Sequence, residues 1–140
     1  MSIDYEIYLD TPLPEPLLAA LGFREPIGKD PVARGVMGNE DMFTYWISDV
    51  TEDSFTREEL KFLPACKLIL SLNLERYEPS IAALIRVLNL LIPCTGRARF
   101  YLHNELLLLS KGADETVLYS QGSDWWDERV QHIRFPFIER

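Results

Sequence analysis

The sequence predicts a single small α+β domain: a largely antiparallel sheet with one long helix packed on one face and short additional helices. Three observations predict it. Apolar residues recur at helical spacing from Ile81 to Ile92. Apolar and polar residues alternate in Ile3–Leu9, Cys66–Leu74 and Arg97–Leu102. And 140 residues without repeats, low-complexity runs or linkers make one domain, residues 1–140.

The elements follow in order. Ile3, Tyr5, Ile7 and Leu9 form the inward side of a first strand. A short helix is expected in Thr11–Leu21, with Thr11 as a cap, Leu17, Leu18 and Leu21 as its apolar side, and Gly22 at its end. Pro12, Pro14 and Pro16 restrict it to the later part of that window. Gly28, Pro31, Gly35 and Gly38 break Phe23–Met37 into loop or short edge strands. Asp41–Val50 reads as a strand and Val50–Pro64 as an acidic loop with one helical turn. Cys66–Leu74 is the clearest alternating strand, with Cys66, Leu68, Leu70, Leu72 and Leu74 inward.

A helix follows. Ile81, Leu84, Ile85, Leu88, Leu91 and Ile92 share one side, Arg86 lies opposite, and Asn89 lies on the flank. Ala82, Ala83 and Leu90 leave the outer face only weakly polar, so more than half of the helix should be covered. Pro79 suits the first turn, where its missing N–H costs nothing, and Pro93 disfavours helix at Ile92. Next comes a hairpin with Ala98, Phe100 and Leu102 on one side, and His103-Asn104 as a two-residue turn needing positive φ. Leu106–Leu109 is apolar on both faces, and Thr116–Ser120 returns as a third strand. In the tail, Ser123 or Asp124 caps a short helix through Trp125, Trp126, Val130 and Ile133. Phe135–Ile138 ends the chain as an extended apolar segment. Truncating Leu88 or Leu107 to alanine is expected to cost about 2–5 kcal/mol each, as core truncations do.

Composition narrows the function. A formal net charge of −8 argues against nucleic acid or an anionic membrane as partner and favours a basic partner surface. Cys66 and Cys94 read as buried reduced thiols, and with His103 and His132 they show no metal-ligand spacing. No cofactor or metal is expected. The N-terminus lacks a signal pattern, and Arg86 and Glu105 interrupt the longest apolar runs, so a cytoplasmic location is expected. Neither histidine carries a catalytic motif, and the glycines match no phosphate loop or dinucleotide fingerprint. The chain is not expected to be an enzyme.

Two features remain as candidate partner-binding sites. One is the acidic belt of Glu40–Glu59, from which Asp49, Glu52, Asp53, Glu58 and Glu59 are the docking residues. The other is Asp124-Trp125-Trp126-Asp127-Glu128. Two adjacent tryptophans cannot point at one spot. They are either both core residues or one core residue and one interface anchor, and Asp124, Trp125, Asp127 and Glu128 are the residues taken forward.

Parts of the chain resemble the Sit-type immunity proteins of bacterial polymorphic-toxin systems. Asp4–Leu13 resembles that family's opening strand running into a short helix, and Ile81–Leu91 its long helix. Phe100–Leu109 resembles its hairpin, which usually turns on Asn-Gly-Glu. Glu105 matches that turn, while His103 replaces the Asn and Asn104 the Gly. Phe23–Pro64 carries no part of the resemblance. What the resemblance implies is a cytosolic protein that binds and neutralises one cognate toxin in interbacterial competition, with no catalytic residue to carry over; the oligomeric state is left open, with a monomer favoured. The alternative is a small acidic secretion chaperone or adaptor for an effector, acting as a dimer. A third class is an enzyme or small-ligand binder, which would need a polar pocket.

Overall fold

Alternation in the first strand places Tyr5, Ile7 and Leu9 on one face, and that face is the centre of the molecule. The computed structural model describes residues 3–12, 33–36, 43–48, 62, 64–72 and 74–140, with 33–36 and 43–48 described as backbone. Strands run β1 (Asp4–Leu9), β2 (Ala33–Val36), β3 (Phe43–Ser48), β4 (Cys66–Leu72), β5 (Ala98–Leu102), β6 (Leu106–Lys111), β7 (Thr116–Leu118) and β8 (Ile138–Glu139). They form one sheet in the order β2-β3-β4-β1-β5-β6-β7-β8. Every pairing is antiparallel except β7 with β8. With the one long helix among the described residues, α1 (Tyr77–Leu91), and short 3₁₀ segments, this is the expected α+β class. The expected helix in Thr11–Leu21 beyond Pro12, and the acidic loop of Val50–Pro64 apart from Phe62 and Pro64, lie outside the described residues.

β1 lies between β4 and β5, antiparallel to both, so α1 carries the chain from β4 across β1 to β5. A central strand under a helix must bury its side chains, and Tyr5 through Leu9 are all buried. α1 supplies Ile81, Leu84, Ile85, Leu88 and Leu91 to the same core. Ala83 and Val87 are buried too, so the covered side is wider than the wheel predicted, while Ala82, Arg86 and Leu90 remain exposed. The helix begins at Tyr77 with Pro79 in its first turn. It tightens at Pro93 into a 3₁₀ turn, Ile92–Cys94. Leu74–Cys94 is long and apolar enough by length and composition to cross a membrane, which the reading of interrupted apolar runs did not anticipate. Half of its most apolar window is buried against the sheet. Cys66 is buried as expected, but Cys94 is exposed, because the 3₁₀ turn leaves the core at Pro93.

The Leu run of β6 resolves through a bulge. Phe100 pairs with Leu109 and Tyr101 with Leu107, so Leu108 is the extra residue. Leu108 and Leu109 therefore both join the main core, fully buried. Leu107 is only partly buried and packs with Tyr8, Tyr101 and Phe62 on the opposite face of the sheet. Leu107 is thus not the main-core residue expected. The hairpin connection holds three residues rather than two, since pairing resumes at Leu106. His103 and Asn104 do adopt the positive φ expected, 52° and 59°.

Polar groups fix the ends of these elements. Asp10 Oδ1 accepts from Thr95 Oγ1 at 2.9 Å and from the Gly96 N–H at 3.0 Å, holding the turn after the helix. Lys111 Nζ donates to the Ile92 and Thr95 carbonyls, 2.6 Å each. That cation sits where the helix dipole is negative. Asn104 is anchored twice: its N–H donates to Glu6 Oε2 at 2.8 Å, and its Oδ1 accepts from Tyr8 Oη at 3.0 Å.

Candidate functional site: a groove between helix and tail

Both tryptophans of the tail are core residues. Trp126 is fully buried, and its indole N–H donates at 2.8 Å to the Leu108 carbonyl, which also accepts from the Tyr119 N–H at 3.1 Å. Trp125 is 8% exposed, and its indole N–H donates to Tyr5 Oη at 2.9 Å. The rings meet edge to face at 4.7 Å, and Tyr5 stacks on Phe100 at 5.5 Å. Burial pushes the Tyr5 hydroxyl above its ordinary pKa, partly offset by the bond from Trp125. Trp125 therefore offers little surface as an exposed anchor; it forms part of a floor.

Above that floor the tail runs beside α1. The Ser123 hydroxyl accepts from the Trp125 N–H at 3.0 Å ahead of the 3₁₀ segment Asp127–His132, whose first residues have no side-chain cap. Two clamps hold the tail to the helix. Near the start of α1, the Arg129 guanidinium lies 4.6 Å over the Trp125 ring, donates to the Trp125 carbonyl at 3.1 Å and reaches Tyr77 Oη at 3.4 Å. Near its end, Asn89 Nδ2 donates to the His132 carbonyl at 3.0 Å and its Oδ1 accepts from the Arg134 N–H at 2.8 Å.

An open groove of about 850 Å³ lies along this line. Asp124, Trp125, Asp127 and Glu128, the four described candidates from the sequence, all line it. The helix contributes Glu78, Ala82, Arg86 and Asn89, and the hairpin contributes Leu102 and Leu106. Asp49, Glu52, Asp53, Glu58 and Glu59 lie outside the described residues, so the acidic belt is not placed relative to the groove. Sequence reasoning missed Glu78, Arg86, Asn89 and Arg129 as site residues. The four-residue steps from Glu78 to Ala82 to Arg86 were a usable signal, since they mark one exposed stripe.

The groove is lined by charges of both signs. Glu78, Asp124, Asp127, Glu128, Arg86 and Arg134 are exposed, and none makes an ion pair among the described residues. Among the described residues no group of three or more His, Cys, Asp or Glu is placed to hold a metal. His132 uses its carbonyl on Asn89, and His103 sits exposed in the hairpin turn. No family model, no curated protein and no solved structure matches the chain.

Proposed function

We propose that this chain is a binding protein that neutralises a cognate bacterial toxin through a protein–protein interface, acting in the cytoplasm without catalysis of its own. The observation that carries the reading is the groove between α1 and the tail. It is open, long and lined by exposed charges of both signs that have no ion-pair partner among the described residues. Charges left uncommitted around a concave surface suit the rim of a protein interface, where they set orientation and on-rate. The resemblance of β1, α1 and the β5–β6 hairpin to Sit-type immunity proteins supports the same reading.

The partner is expected to bury on the order of 1,600 Å² in total. The test is copurification with the product of the adjoining reading frame, followed by sizing of the pair. A stable complex in which this chain is a single copy supports neutralisation. A dimer of this chain holding an unfolded segment, with no toxicity from the partner, would replace the reading with that of a secretion chaperone. The net charge of −8 adds a second expectation: association should weaken as salt rises, and a salt-independent affinity contradicts charge steering.

A further inference from the structure

The groove is not uniform in charge along its length. The Arg129 guanidinium, committed to Trp125 and Tyr77, lies near the start of α1, and Glu78 with the tail carboxylates Asp127 and Glu128 outnumbers it at that end. Asn89 binds the backbone of His132 and Arg134, so Arg86 and Arg134 gather near its end. Glu78 and Arg86 are eight residues apart in one helix, about 12 Å along its axis. The protein as a whole is strongly acidic, yet this groove has an acidic end and a basic end.

Among the described residues neither end is paired: the six exposed charged residues make no ion pair there. The walls are already in place, because Arg129 reaching Tyr77 and Asn89 bonding the backbone of residues 132 and 134 hold the tail against the helix. A prearranged groove spares an incoming segment the cost of ordering the site. Leu106, 37% exposed at the groove, adds an apolar contact.

From this we infer that the groove receives a bipolar segment of a partner protein, with a cationic end on Glu78, Asp127 and Glu128 and an anionic end on Arg86 and Arg134. The inference rests on the protein-binding reading above and names the segment that such a partner inserts. It also separates this site from simple charge attraction. A surface that acts only through a net charge of −8 prefers a wholly cationic ligand. A bipolar groove prefers a zwitterionic one of no net charge.

The test uses three synthetic peptides with the full chain, followed by amide and indole N–H NMR shifts. The first carries two arginines, a flexible spacer of about six residues with one leucine, and two glutamates; such a spacer spans about 13 Å. The second replaces the glutamates with arginines, and the third the arginines with glutamates. The bipolar peptide is expected to bind about fivefold more tightly than the all-arginine peptide, as two modest exposed ion pairs would give. Shifts should map to Ala82, Arg86, Asn89 and Trp125. The exposed double variant Arg86→Glu, Arg134→Glu should keep the wild-type spectrum elsewhere and transfer the preference to the all-arginine peptide. Equal or tighter binding of the all-arginine peptide to the wild type overturns the inference. So do shifts mapping elsewhere, no binding, or an unchanged preference in the double variant. A toxin that still coelutes with the double variant at full affinity would remove the groove from the interface while leaving the neutralising reading in place.

Discussion

Asp10 and Gly96 show how a single position can hold an element in place. A Cβ on Gly96 would stand 2.7 Å from Asp10 Oδ2, and that carboxylate is already committed to Thr95 and to the Gly96 N–H. Gly96→Ala must push the carboxylate away and weaken both bonds. A loss of about 1–3 kcal/mol is expected in urea unfolding, and an unchanged midpoint would show that Asp10 yields without cost. Glu6 gives a prediction in pH. Burial raises its carboxyl pKa, against the opposing pull of the Asn104 N–H and the charges of Lys67 and His103, while Asp4 adds to the rise. The folded state therefore holds this proton more tightly than the unfolded chain. Its contribution to stability is greatest when protonated and declines as pH rises from the ordinary carboxylate range through the raised folded value. Glu6→Gln cannot ionise, so its unfolding free energy should fall less than the wild type's across that window. Parallel curves for the two proteins would contradict the assignment. The carboxylate in the first strand was visible in the sequence; its burial and its bond from Asn104, 98 residues later, were not.

At the scale of the element, local pattern carried most of the fold. Helical spacing placed α1, and alternation placed β1, β4 and β5, because each has one face in the core and a period that only one geometry satisfies. But β4 ends at Leu72, and Leu74, expected inward, is 44% exposed in the 3₁₀ turn that follows. The β6 leucines defeated that logic. A run of four leucines has no alternation, so nothing in it marks the bulge at Leu108 that turns two consecutive side chains into the main core. The consequence is measurable. Leu88→Ala, fully buried in α1, should cost about 2–5 kcal/mol, and Leu109→Ala on β6 should cost a similar amount. Leu107→Ala should cost clearly less than either, since Leu107 is partly buried in the smaller cluster on the far face. Equal losses at Leu107 and Leu109 would place the bulge elsewhere. The parallel pairing of β8 was also beyond local pattern: two residues at the end of an apolar segment gain a strand only because β7 offers an edge.

For the whole molecule, the site arises from contacts between segments distant in the chain. Asn89 meets residues 132 and 134, and Tyr77 meets Arg129, so α1 and the tail enclose a groove that neither outlines alone. The acidic tail and the exposed stripe of α1 were each legible in the sequence; their apposition was not. The proposed role, neutralising a toxin by occupying it with this surface, makes demands on shape and charge rather than on a reactive group. The measurement that tests it most directly is growth rescue. The product of the adjoining reading frame is expressed alone, then together with this chain, and then with the Arg86→Glu, Arg134→Glu variant. The account predicts arrest alone, growth with the wild-type chain, and weakened protection by the folded variant. A neighbouring product that does not arrest growth, or arrest that the wild-type chain fails to relieve, would contradict it.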